Sequence, residues 1–222
     1  REDAEKVFNA GFVMLALCGV ALTAVVLSAG DALIRLFGSP DSAFPYASEY
    51  LFVYGTGTIF VMISLGLNPF ITAQGFSFTS MATVAIGAVL NIGLDPLFIF
   101  AFGMGVKGAA LATVLSQAVS AAWVTLFFFR RKSQFRFRPA FFRAAPKTVG
   151  RILLLGLSPF IMSVTESAIQ IVFNVNLRLW SGGNSDYTAA LTIMLSANQM
   201  VCMPLNGLGT GVQPLVSYNY GA

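Results

Sequence analysis

Six stretches of nearly unbroken apolar residues, each long enough to cross a bilayer as a helix, constrain this chain more than any other feature. They run from about Val7 to Phe37, Ala47 to Ala73, Ser80 to Phe102, Gly108 to Phe129, Val149 to Trp180 and Tyr187 to Tyr218. A helix rises ~1.5 Å per residue, so about 20 residues cross the ~30 Å hydrocarbon core. Several runs exceed that length, which implies tilt or ends projecting into the headgroups. The breakers GSPDSAFP, QGFSF, GMG and SGGNSD separate most of them. Strands of a membrane barrel would alternate over about ten residues, and these runs do not. The pattern predicts an all-α, polytopic membrane bundle of six transmembrane helices.

Charge supports the same class. Only 10% of the 222 residues are charged, against ~25% in a soluble domain. Eight of the thirteen basic residues fall between Arg130 and Arg151, a stretch without an acid. A basic loop between apolar spans marks the cytoplasmic face. With six spans, both termini are then cytoplasmic, and the turns near Pro40, Gly105 and Gly183 face outward. The predicted location is the cell membrane, multi-pass, with membrane lipid as a partner and no nucleic acid. The segment RRKSQFRFRPAFFR reads as amphipathic and suited to an interface with anionic lipid. It divides the chain into residues 1–129 with four helices, a basic cytoplasmic linker at 130–151, and residues 152–222 with two helices.

Several chemistries find no residues here. The chain contains no His, which excludes His-based catalysis and most zinc-site patterns. Cys18 and Cys202 lie in apolar runs and read as small hydrophobes. No phosphate-cradling loop or nucleophile elbow is present. The expectation is a protein that is not an enzyme and uses no cofactor. The chain opens Arg-Glu-Asp without Met and stops at Tyr-Gly-Ala. These ends are read as those of a piece of a longer membrane protein.

Two acids stand inside apolar runs. Placing a carboxylate in hydrocarbon costs roughly 2.5–3.5 kcal/mol on insertion scales, and such residues usually face a wet cavity and handle ions or protons. Asn91 precedes Asp95 by four residues, so both share one helix face. Pro96 follows and removes a backbone hydrogen bond. Asp95 and Thr113 each lie nine residues from a turn centred on Met104, which sets them at matched depth on adjacent helices. Gly108, Ala109 and Ala110 let those helices approach. The cluster is either a set of oxygens for Na⁺ or a proton, or a structural network stabilising a proline kink. Glu166 has Ser163, Gln170 and Asn174 on its face, with Pro159 seven residues earlier. It is either a second proton-bearing site enclosed in a cavity or a neutral acid bonded across helices. Along the sixth run Ser196, Gln199, Met203, Asn206, Thr210, Gln213 and Ser217 recur at spacings of three and four. This face is either the wall of a substrate cavity or a polar seam between helices.

These residues carry a resemblance. Asn91-Ile-Gly-Leu-Asp95-Pro-Leu-Phe-Ile-Phe followed by Gly105-Val-Lys-Gly-Ala-Ala-Leu-Ala-Thr113 resembles the multidrug and toxic compound extrusion (MATE) transporters. So do Gly156-Leu-Ser-Pro with its glutamate ten residues after the glycine, and the terminal Gly211-Val-Gln-Pro-Leu-Val-Ser-Tyr-Asn-Tyr-Gly-Ala222. The resemblance implies helices three to eight of a twelve-helix, two-lobe antiporter that exports cationic amphipathic drugs and metabolites in exchange for H⁺ or Na⁺. It implies that Asp95, Asn91 and Thr113 couple the ion and that Glu166 serves the second lobe. Gln170, Gln199 and Asn206, from the polar faces of the fifth and sixth runs, are the candidates for the lining of a substrate cavity. The remaining helices of the same transporter become necessary partners, and with them missing the isolated piece is not expected to transport. Two rivals stay open: a lipid-linked oligosaccharide flippase of the same superfamily, which calls for a base at mid-depth, and a non-transporting structural membrane subunit.

Overall fold

The structure is a computed structural model that describes residues 2–130, 133–137, 146–180 and 185–221. Most of the basic linker, the loop near Gly183 and the side chains of Arg178 and Ser217 lie outside the described residues. Every element among those described is helical: α1 (Glu2–Leu36), α2 (Phe44–Thr56), α3 (Thr58–Ala73), α4 (Ser77–Pro96), a π turn (Leu97–Ala101), α5 (Gly105–Phe129), α6 (Pro146–Trp180) and α7 (Ser185–Gly221). The all-α bundle is as expected.

The helix count differs from six in one place. The second apolar run is two helices, α2 and α3, bent by 57°. The break falls at Gly55-Thr56-Gly57, where neighbouring helices come too close for a side chain. A Cβ on Gly55 would stand 2.5 Å from Val26 Cγ1 of α1, and one on Gly57 would stand 2.5 Å from Val114 Cγ2 of α5. Interrupting the helix frees carbonyls, and a polar neighbour takes one of them: Thr23 Oγ1 donates to Gly55 O at 3.1 Å. In hydrocarbon no water would replace that bond.

Four helical stretches are long and apolar enough to cross a membrane: Ala4–Leu36, Ser77–Ala101, Gly105–Phe129 and Thr148–Leu177; the bent α2–α3 pair makes a fifth. Helix α7 falls outside that set despite its 37 residues, because polar residues interrupt its apolar surface at every turn. Helix α6 begins at Pro146, inside the stretch expected to be linker. Large apolar side chains such as Leu17, Val20, Val89 and Phe129 are exposed. A soluble monomer rarely presents so much contiguous apolar surface, and acyl chains are its natural surroundings.

Helix α5 is the central element, packed against α2, α3, α4 and the π turn. Its buried face changes character along its length. Gly108, Ala110, Ala112, Ser116 and Ser120 admit close backbone approach, whereas Val124, Phe127 and Phe128 fill space at the far end. There they join Phe8, Leu67 and Ile71 in the core, with Phe135 and Phe137 packed onto it. Helix α6 rests on α1, and α7 on α6. Neither α6 nor α7 has a buried residue among those described.

The first part of the linker is not a free amphipathic strip on lipid. Phe135 stacks on Phe8 with ring centroids 5.6 Å apart, and Phe137 packs against Phe12 at 4.8 Å. Gln74 Oε1 accepts from Ser133 Oγ at 3.2 Å and from the Gln134 N–H at 2.7 Å. Asn9 Nδ2 donates to Arg136 O at 3.1 Å. Residues 133–137 thus form a strap across the ends of α1, α3 and α5.

Candidate functional site

Pro96 ends α4 because it has no N–H to offer the preceding turn. The chain continues as the π turn, closed by the Phe102 N–H donating to Leu97 O at 3.0 Å. Gly103 and Gly105, with φ of 64° and 55°, then reverse it into α5, a left-handed backbone that favours glycine. Helical π turns are uncommon and recur at functional sites. This one leaves Asp95, half-buried, two residues from the irregular backbone.

Asn91 is the hub of the cluster. Its Nδ2 donates to Asp95 Oδ1 at 3.2 Å and to Thr113 Oγ1 at 3.4 Å. Thr113 Oγ1 donates back along its own helix to Ala109 O at 3.0 Å. Three residues predicted from spacing to meet therefore do meet, across the α4–α5 seam. Gly108 makes the seam possible: a Cβ there would stand 2.8 Å from Phe98 O. Asp95 is the single ionisable side chain within Ser77–Ala101. A hydrogen bond to a charged group contributes about 1.5–3 kcal/mol, enough to offset much of its insertion penalty.

Asn91 and Thr113 also line a cavity of about 180 Å³ between α3, α4 and α5. Its other polar walls are Ser64, Thr83, Ser116, Gln117 and Ser120. Ser64 Oγ donates to Gln117 Oε1 at 2.9 Å, and Ser120 Oγ donates to Thr83 O at 3.2 Å. Sequence reasoning did not single out these five. The signal was present: Thr113, Ser116, Gln117 and Ser120 recur at helical spacing on one face of α5.

The remaining predicted residues are not gathered. Glu166, Gln170, Gln199 and Asn206 are all exposed, on α6 and α7, and none of them lines the cavity beside Asn91 and Thr113. Asn206 lends its carbonyl to Thr210 Oγ1 at 2.8 Å, a bond within α7. Glu166 is thus neither enclosed nor brought to Asp95. No group of three or more Cys, Asp or Glu side chains placed to hold a metal ion occurs among the described residues.

Long apolar helices packed through small residues around a carboxylate define a polytopic α-helical membrane protein with a polar site inside its bundle. The MatE family model matches residues 1–97. Multidrug export protein MepA of Staphylococcus saprophyticus is 28% identical over 204 residues, which are 92% of this chain and 45% of that protein. Two solved structures superpose closely. One is the MATE multidrug transporter DinF-BH, with a TM-score of 0.83, 27% identity and coverage of 99% of this chain and 54% of that one. The other is MATE in the bent conformation, with a TM-score of 0.81, 27% identity and coverage of 100% and 49%. The chain is thus similar to MATE transporters over nearly all of its length, and it spans about half the length of the curated relatives it matches.

Proposed function

We propose that this chain is part of a cation-coupled antiporter, driven by H⁺ or Na⁺, that exports cationic amphipathic drugs and metabolites. The observation that carries the reading is the Asn91–Asp95–Thr113 cluster, set beside a π turn and opening on a polar cavity. Asp95 is the ion-responsive carboxylate, and Asn91 and Thr113 are its neutral ligands. Glu166 is a second charge-bearing group, and Gln170, Gln199 and Asn206 line the substrate path once further helices of the same transporter cover α6 and α7. Residues 1–129 belong to one lobe, 130–151 connect the lobes at the cytoplasmic face of the cell membrane, and 152–222 begin the other. Both ends of the segment lie on that cytoplasmic side.

Cationic cargo is favoured over an anionic lipid-linked sugar by where the bases stand. Lys107 is at the start of α5, 4.0 Å from Glu49, and Arg35 covers the Phe44 ring at 4.6 Å near the end of α1. Neither is at mid-depth beside the cluster. The test uses an intact transporter carrying this segment. Asp95→Asn is expected to abolish gradient-driven export of a cationic amphipathic dye while membrane insertion stays near normal. Undiminished drug resistance in cells expressing it overturns the proposal and favours a structural subunit.

A further inference from the structure

We infer that the linker end of α5 carries a binding site for an anionic phospholipid of the adjoining leaflet. Arg130 and Arg136 take its phosphate, and the exposed face of α5 takes an acyl chain. The site needs only the bilayer around the helices, so it stands or falls apart from the antiporter reading.

The site is built where the chain leaves α5. Arg130 is extended, with φ −74° and ψ 148°, and its carbonyl accepts from the Ser133 N–H at 3.1 Å. That turn folds the strap back on the helix end and leaves a cavity of about 220 Å³, lined by Phe128, Phe129, Arg136 and Phe137. Phe128, 2% exposed, belongs to the aromatic core. Phe137 packs on Phe129 with ring centroids 5.3 Å apart, and Asn9 Nδ2 donates to Arg136 O at 3.1 Å. The strap backbone is therefore pinned on both sides of the cavity, while the Arg136 side chain stays exposed at its wall. No acid lines the cavity among the described residues, and the stretch from Arg130 to Arg151 contains none.

An apolar strip runs up to this cavity. Leu115, Val119, Trp123, Leu126 and Phe129 recur at spacings of four and three, which sets them on one face of α5, and all five are exposed. Phe129 belongs to both the strip and the cavity. Arg130 follows it, with Cζ 6.0 Å from the centroid of the Trp123 ring, within cation–π range. Gly105–Phe129 is long and apolar enough to span a membrane, so Arg130 falls at the headgroup boundary. Hydrocarbon alone would satisfy the strip, and water alone would satisfy the bases. Their junction at Phe129 suits a molecule that joins a phosphate to an acyl chain. Guanidinium groups pair with phosphate through planar, charge-assisted hydrogen bonds, and bases next to a span attract anionic lipid. The cavity is also smaller than the about 300–1,000 Å³ of drug-sized sites, which sets it apart from a cargo pocket.

The test counts bound lipid without reference to transport. An intact transporter carrying this segment is equilibrated in micelles with equal dioleoyl phosphatidylglycerol and dioleoyl phosphatidylcholine, and retained lipids are identified by native mass spectrometry. The wild type is expected to retain phosphatidylglycerol in preference to phosphatidylcholine. Arg130→Gln and Arg136→Gln, both at exposed side chains, should each lower that preference about fivefold. Arg151→Gln removes the same charge from the exposed start of α6 and should leave it unchanged. An equal fall with Arg151→Gln means a diffuse basic surface and overturns the site, as does an unchanged preference with Arg136→Gln or none in the wild type. Soluble glycerol 3-phosphate, added at the concentration of the lipid, should not displace it. Full displacement assigns the arginines to a free anion and overturns the role of the α5 strip.

Discussion

Gly108→Ala is the substitution that most directly tests how the Asn91–Asp95–Thr113 cluster is held. A Cβ at this position would meet Phe98 O at 2.8 Å, Phe98 C at 2.9 Å and Met104 Cβ at 3.0 Å. The first two are backbone atoms of the π turn, which cannot swing aside as a side chain would. Ordinary van der Waals contact begins near 3.4 Å, so α5 and the π turn must separate by several tenths of an ångström. Overpacking of this kind costs about 1–3 kcal/mol. The functional consequence is sharper than the loss of stability. The Asn91–Thr113 contact is already long at 3.4 Å, and a separation of that size takes it beyond hydrogen-bonding range. Asp95 then keeps Asn91, four residues away on its own helix, and loses the link to α5. In an intact transporter, Gly108→Ala should insert, unfold at a lower temperature and lose most export of a cationic dye. Gly11→Ala is the matched control. Its Cβ would sit 3.8 Å from Phe70 Cζ, an ordinary contact, and helix propensity favours Ala over Gly by about 0.5–1 kcal/mol. Export by Gly108→Ala equal to that of Gly11→Ala would refute the reasoning that the α4–α5 seam positions the cluster.

Other outcomes follow from the same contacts. Phe8→Ala should destabilise the protein by about 3–5 kcal/mol, since Phe8 is fully buried and packs on Phe70, Phe128, Phe135 and Phe137; thermal unfolding in detergent measures it. Gln74→Ala removes both bonds that hold Ser133 and Gln134, and limited proteolysis between residues 130 and 146 should accelerate while α5 stays protected. Lys107→Ala should change stability by no more than about 1 kcal/mol, because the Lys107–Glu49 pair is half-exposed at both ends and 4.0 Å long. Gly87→Ala drives a Cβ to 2.5 Å from Ser120 Oγ, so it should displace that hydroxyl from Thr83 O and reduce export, with helix content by circular dichroism unchanged.

The juxtaposition of Asn91, Asp95 and Thr113 was legible because two simple periodicities fix it. Four residues return a side chain to the same face of α4, and equal distances from one tight turn bring α4 and α5 to the same depth. The irregularity at Pro96 and the turn about Met104 were legible for the same local reasons, although the runs were expected to reach Phe102 and to resume at Gly108. The break at Gly55-Thr56-Gly57 was not, because glycines are common inside membrane helices and nothing local says these two are pressed by Val26 and Val114 from other helices. The strap was only half legible. Its alternation of aromatic and basic residues announced an interface, but whether Phe135 and Phe137 meet lipid or Phe8 and Phe12 depends on where α1 begins. Glu166 and the polar stripe of α7 were visible as anomalies, yet α6 and α7 have too few neighbours within this segment to enclose them.

Helix α5 ties these observations into one mechanical unit. Its 25 residues make a rod of about 37 Å that carries Thr113 toward one end and Phe127 and Phe128 at the other, with Ser116 and Ser120 between. The strap grips the aromatic end, and α4 and the π turn grip the polar end through contacts that tolerate no added Cβ at Gly87 or Gly108. Rotation of α5 about its axis would turn Thr113 away from Asn91 and Ser120 away from Thr83 together, while Phe128 would leave Phe8. Such a rotation breaks bonds at every level of the seam, so the lobe resists it as a whole. The π turn is the least regular part of this unit: it follows a proline and precedes two left-handed glycines. If the ion cluster changes shape on gaining or losing a cation, the change belongs in Leu97–Ala101. Spin labels at Phe100 and Trp123 would then move apart or together with the coupling cation, while a pair at Trp123 and Leu65 would hold its distance. Equal motion in both pairs would instead assign the switch to α5 itself.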